Sequence, residues 1–248
     1  MITMQEQQAK SKQHARVSQL AASKKFGKYK KEEAKRVRTQ NISENKTLEE
    51  IKKVWRECRY DWEAKDNVDI SSHRKFLSML SNVGYTANDV ELFAIVLAEF
   101  QEEDSFSTKA GVFLSALING GKDEKYIIST RQFHEPIQRI GIENHKDIII
   151  IGDVDRAGSY MKTGSIVVQG HANRVAYFME GGRIIVEGNV YLHAGNHMKS
   201  GNVIIRKNAH QVGWGMDGGS ISVEGEIGSI GDVKHGKIFH KGKLIVNK

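Results

Sequence analysis

The sequence predicts an α+β multidomain chain, with a small N-terminal helical domain followed by a parallel β-helix of about five rungs. Three observations carry that expectation: a glycine-marked repeat of about 18 residues in the C-terminal part, strand-period alternation inside each copy, and helix-period apolar faces between residues 48 and 118. The repeat is read from four methionines. Met161, Met179, Met198 and Met216 stand 18, 19 and 18 residues apart, and a glycine follows each by three positions, at Gly164, Gly182, Gly201 and Gly219. After each glycine comes a short alternating strand, such as Ser165-Ile166-Val167-Val168-Gln169. Three copies close with a second glycine, Gly170, Gly188 and Gly225, and the remaining copy has Lys207. Gly152 and Gly158 belong to the first copy. A unit this short cannot bury its own apolar face, so copies must stack into a solenoid with a shared core. Period-2 alternation makes the unit a strand. Ile166, Ile184, Val203 and Ile221 then form one inward column, and Val168, Val186, Ile205 and Val223 a second. Glycine marks corners that need positive φ or close backbone approach to the next rung.

Taken in order, residues 1–41 are a basic tail, disordered or arm-like. Residues 1–40 hold eleven Lys and Arg against three Glu, so the chain's formal +7 belongs to this segment and the remainder sums to about −1. Lys24, Lys25, Phe26, Lys28, Tyr29, Lys30, Lys31, Lys35, Arg36 and Arg38 interleave cations with aromatic rings, the pattern of a nucleic-acid-binding arm. A solvated tail has the same composition.

Residues 42–124 are expected to form the helical domain. Thr47 and Glu50 read as a capping box launching a helix to about residue 65, with Leu48, Ile51, Val54, Trp55, Cys58 and Trp62 on one face. A second helix is expected over 72–82. A third, capped by Asn88 or Thr86, carries Val90, Phe93, Ala94, Val96, Leu97 and Phe100. A fourth over 108–118 stops at Asn119-Gly120-Gly121. Residues 125–248 are the β-helix domain, with strand candidates at 126–129 and 147–151; the second is taken as the first rung. Beyond Gly225 the pattern loosens, with Lys234 in the methionine position, Gly236 kept, and Ile238, Leu244 and Val246 expected to extend the apolar columns.

The units from Gly152 to Gly170 and from Met179 to Gly188 resemble the repeat of the GXGXG family. That family includes the C-terminal domain of the glutamate synthase large subunit and one of the subunits of formylmethanofuran dehydrogenase. The resemblance covers residues 146–248. It implies a right-handed parallel β-helix that packs against catalytic parts and holds them in place, with the reactive groups elsewhere. The expected role is therefore a non-catalytic scaffold, docking onto a protein partner or self-associating as a homo-oligomer. A family label would read oxidoreductase, through an accessory subunit supplying glutamate synthase-like or formylmethanofuran dehydrogenase-like chemistry in trans. A nucleic-acid-binding protein led by the basic arm is the other alternative.

Composition narrows the chemistry. One cysteine, Cys58, excludes an intramolecular disulfide and an iron–sulfur cluster held by this chain alone, and its place on an apolar helix face makes it a buried small group. No apolar run reaches the roughly 20 residues of a membrane span. With no signal-peptide pattern, the expected location is cytoplasmic. Of six histidines in the repeat region, His193 and His197 are four apart but on a turning chain. His171 aligns with Asn189, Asn208 and Glu226, a polar column and not a stack of ligands. Asp153, Asp155, Asp217, Asp232, Glu180 and Glu187 are spread over different rungs. Gly213-Trp214-Gly215 and Gly218-Gly219 lack the following helix start that a phosphate cradle needs. No catalytic residue, metal or cofactor is expected.

Overall fold

The computed structural model describes residues 45–60 and 68–248. The basic arm and Trp62 lie outside the described residues. Residues 46–248 form one compact unit. Helix α1 (Lys46–Glu57) starts one residue before the expected cap, which leaves Thr47 in the first turn. It also ends at Glu57, short of the expected residue 65. Leu48, Ile51, Val54, Trp55 and Cys58 are buried along its inner side. Helix α2 (Val68–Leu80) begins four residues earlier than expected. Helix α3 (Ala87–Val96) opens on a full capping box in which the Thr86 side chain accepts from the Asp89 N–H and the Asp89 carboxylate accepts from the Thr86 N–H. It tightens into a 3₁₀ turn over Leu97–Phe100. Helix α4 (Phe106–Gly120) stops at Gly121. Trp55 of α1 meets Phe93 of α3 and Phe106 and Phe113 of α4 at ring-centroid distances of 5.3 to 6.3 Å, and Phe76 brings α2 onto Phe113. Such edge-to-face pairs add about 0.5–1.5 kcal/mol each beyond the area they bury.

The solenoid begins one rung earlier than the repeat suggested. Strand β1 (Lys125–Ser129) pairs in parallel with β2 (Asp147–Ile151), and the chain between them makes a full turn, bridging Ile137 to Val154 and Ile140 to Ala157. This turn lacks the methionine–glycine signature of the later ones, so spacing alone does not mark it. One sheet then climbs through β4 (Ser165–Val168), β6 (Arg183–Val186), β8 (Asn202–Ile205), β10 (Asp217–Val223) and β12 (His235–His240). All these pairs are parallel, giving about six turns. The facing sheet holds β3 (Val154–Ala157), β5 (Ala172–Val175), β7 (Val190–Ala194), β9 (Ala209–Val212) and β11 (Ile227–Ile230). The methionine segments run between the two sheets as a third side.

The interior follows from the register. Ile148, Ile166, Ile184, Val203, Ile221 and Ile238 lie in one column and Ile150, Val168, Val186, Ile205 and Val223 in the next, all at 0–1% exposure. Each contributes about 1.5–3 kcal/mol on burial. In the other sheet, Val154, Ala172, Val190 and Ala209 form one buried column, and Ala157, Val175, Ala194 and Val212 the next. Each rung therefore carries one valine and one alanine, at alternating positions, which holds the interior volume constant while neighbours interdigitate. Met161, Met179, Met198 and Met216 fill the third side at 0% exposure.

The glycine corners have two separate causes. At Gly182 and Gly201 the backbone takes φ of +82° and +96°, a region other residues rarely adopt. At Gly170 and Gly188 φ is ordinary, but a Cβ would lie 2.3 and 2.4 Å from the carbonyl oxygen of the rung below. The C-terminal expectation needs correction at Leu244. The chain reverses at Lys241-Gly242, both at positive φ, the pattern of a tight two-residue hairpin. Strand β13 (Lys243–Asn247) thus returns antiparallel on β12. Ile238 extends the inner column and Val246 is partly buried opposite it, whereas Leu244 is 42% exposed.

Candidate assembly interface

The two ends of the solenoid differ in what their backbone groups meet. At the first rung, α4 lies against the chain at residues 138–142. The Gln138 N–H donates to the Ser107 carbonyl at 3.0 Å. Ser115, buried on α4, accepts at its Oγ from the Gly141 N–H at 2.8 Å and from the Ile142 N–H at 3.3 Å, and donates to the Gly111 carbonyl. The Asn119 side-chain amide donates to the Ile142 carbonyl at 2.9 Å, and that of Gln132 to the Ala94 carbonyl at 2.9 Å. Gly111 permits the approach: a Cβ there would stand 1.7 Å from the Gln138 oxygen. His73, buried on α2, faces Asn119 through Nε2 at 3.0 Å and Glu143 through Nδ1 at 3.4 Å. Burial pushes its pKa below the ordinary imidazole value, only partly opposed by Glu143. Arg74 holds the Glu143 carboxyl below the usual range. The helices and the first rungs share one continuous apolar core.

At the other end, β11 and β13 are the outermost strands of their sheets, and no described residue pairs with their outer edges. Ile230, Leu244 and Ile245 are each 42% exposed there, and Trp214, near the last corner, is 53% exposed. Lys237, Lys241, Lys243 and Lys248 ring this edge, with Lys241 paired to Glu226.

Between the ends, the polar residues singled out from the sequence are brought together by rung contacts. The column His171, Asn189, Asn208, Glu226 is a hydrogen-bond ladder that starts one rung lower, at Asp153. Asp153 Oδ1 accepts from the His171 N–H, His171 Nδ1 from the Asn189 N–H, Asn189 Oδ1 from the Asn208 N–H, and Asn208 Oδ1 from the Glu226 N–H, at 2.7 to 3.1 Å. Each side chain caps the backbone of the rung above, and the equal spacing of acceptor-bearing residues is the sequence signal for it. A second ladder is aromatic. Tyr160, Phe178 and His197, all at positive φ, stack with interplanar angles of 2° and 13°. Gly215 follows because a Cβ there would fall 2.6 Å from His197 Nδ1.

Of the six carboxylates singled out from the sequence, four meet a basic side chain and Asp153 accepts from the His171 N–H. Asp155 meets Arg174 and Asn173, Glu180 meets Lys162 and Lys199, Glu187 meets Arg206 at 4.0 Å, and Asp217 meets His235 at 2.6 Å. Among the described residues no group of three His, Cys, Asp or Glu stands close enough to hold a metal ion. The Gly213–Gly219 stretch leads into β10 and not into a helix. Burial pushes the Cys58 thiol up to about 12, and its Sγ rests 3.6 Å from Met79 Sδ. No described helix is long and apolar enough to cross a membrane. Comparison of the chain with family profiles, curated proteins and solved structures gives no match.

Proposed function

We propose that this chain is an assembly module without a catalytic site of its own, and that it joins to a second copy of itself through the end formed by β11 and β13. The observation that carries the reading is the asymmetry of the ends: helices occupy the first rung, while the last offers two strand edges with apolar side chains around them. Open strand edges are templates for pairing. With the opposite end occupied, contact of two open ends is isologous and closes at two copies, so it yields a dimer and not a fibre. The edge lysines disfavour indiscriminate pairing. The resemblance to GXGXG domains, which hold other parts in position, agrees with this role. The basic arm supports a second reading, nucleic-acid binding, which deletion of residues 1–40 tests: salt-sensitive RNA or DNA affinity must vanish with the arm.

Hydrogen exchange at high and low protein concentration tests the primary reading. Amides of residues 227–230 and 243–247 are expected to gain protection on concentration while those of β2 and β4 do not change. Equal exchange at both concentrations, with no partner added, contradicts self-association.

A further inference from the structure

The outer side of the β3–β5–β7 sheet carries a column of cations that the assembly reading does not use. The register sets Arg156 beside Arg174 and Arg174 beside His193, and the bridges of residues 137 and 140 set Arg139 beside Arg156 on the rung below. Stacked strands are about 4.8 Å apart, so three guanidinium groups occupy adjacent rungs. Two of them are neutralised. Arg139 pairs with Asp69 at 2.6 Å and also donates to Tyr60, and Arg174 meets Asp155 at 3.2 Å. Arg156, in the middle, has no carboxylate within ion-pair distance among the described residues. It is partly buried, its Nε is buried without a hydrogen-bond partner, and its guanidinium lies 5.7 Å from the Tyr177 ring centroid. His193 Nδ1 and Arg139 Nε, in the same column, are likewise buried and unpartnered.

The local charge count is three arginines against Asp69 and Asp155, which leaves one positive charge uncompensated. His193 adds none at neutral pH, because burial and Arg174 hold its pKa below the ordinary value. Arg156 itself is disfavoured as a cation, by burial first and then by Arg139 and Arg174. A half-buried, unpaired cation between two others is unfavourable unless something negative occupies the space beside it. Structural needs alone would place a neutral or acidic residue there.

We propose that Arg156, flanked by Arg139 and Arg174, binds one oxyanionic group of a small molecule, a phosphate or a carboxylate. A guanidinium fork takes either pairwise through two oxygens. A long polyanion fits less well, because Asp69 and Asp155 interrupt the column and the net charge accommodates a single anionic group.

The test uses the full chain and two probes, sodium phosphate and sodium acetate, against sodium chloride at equal ionic strength. The Arg Nε–H resonances and the thermal midpoint are followed together. The expected result is a saturable shift of the Arg156 Nε–H signal by one of the probes. At ten times the dissociation constant, the folding equilibrium should rise about tenfold. Whichever probe acts identifies the anion. Arg156→Gln abolishes both effects and, in chloride, is as stable as the parent or more so because repulsion is relieved; Arg156→Lys retains weakened binding. Arg131→Gln leaves both effects intact. The proposal is overturned if neither probe shifts the signal, if Arg156→Gln responds as the parent does, or if only an RNA oligonucleotide produces the shift.

Discussion

Replacing Gly111 by alanine tests how the helices are joined to the solenoid. In an ordinary helix interior the change stabilises by about 1 kcal/mol, from propensity and from the unfolded chain. Here the new Cβ would lie 1.7 Å from the Gln138 carbonyl oxygen, 2.8 Å from its carbon and 3.1 Å from the Ile140 nitrogen, whereas ordinary contact starts near 3.4 Å. Both partners are backbone, so α4 and the first rung must separate by more than an ångström. The bonds from Gln138 to Ser107 and from Gly141 and Ile142 to Ser115 lengthen with them. Overpacking costs about 1–3 kcal/mol and each lost hydrogen bond about 1 kcal/mol. With three bonds weakened and the propensity gain subtracted, the net loss is about 3–5 kcal/mol. For a chain of this size that lowers the thermal midpoint by roughly 6–20 °C. Gly84, with nothing within 4 Å of its Cβ position and no positive φ, is the control and should tolerate alanine. Calorimetry of the two variants decides: a Gly111→Ala protein that melts at or above the parent refutes the close backbone contact.

Two further perturbations address particular interactions. Because His73 has a folded-state pKa below its unfolded value, the unfolded chain binds the proton first. Stability should therefore decline as pH falls below about 6.5, and His73→Gln should flatten that decline in urea titrations at about pH 7.5, 6.5 and 5.5. Asn189→Ala removes the acceptor for the Asn208 N–H and should cost about 1 kcal/mol at unchanged denaturant slope, whereas Asn189→Asp, which keeps the oxygen, should cost less.

The repeat is legible because each rung reuses the same spacing for its inward aliphatics, its methionine and its corner glycine. Ile166 and Val168 point inward by alternation alone, and the structure buries both. The first rung is not legible in that way, because residues 130–146 are shaped by contact with α4 and carry no methionine–glycine marker. Leu244 departs from the expected column because a two-residue turn at Lys241-Gly242 changes the direction of the chain without altering its apolar alternation. Thr47 resembles a cap because Ser/Thr followed by Glu three residues later also occurs inside a first helical turn. The polar column is visible as recurring His171, Asn189 and Asn208, but spacing alone does not say that each side chain bonds the backbone above it. The arginine column is hidden for a related reason: Arg139 precedes the recognisable repeat, and one guanidinium in three lacking a carboxylate partner is a matter of geometry.

Sedimentation equilibrium of the purified chain, alongside Leu244→Lys and Ile245→Lys, tests the assembly account most directly. The parent should give twice the 27.8 kDa chain mass and the lysine variants a single chain mass with the parent's far-UV circular dichroism spectrum. A parent that remains at the mass of one chain across the micromolar range, or variants that dimerise as the parent does, would contradict it.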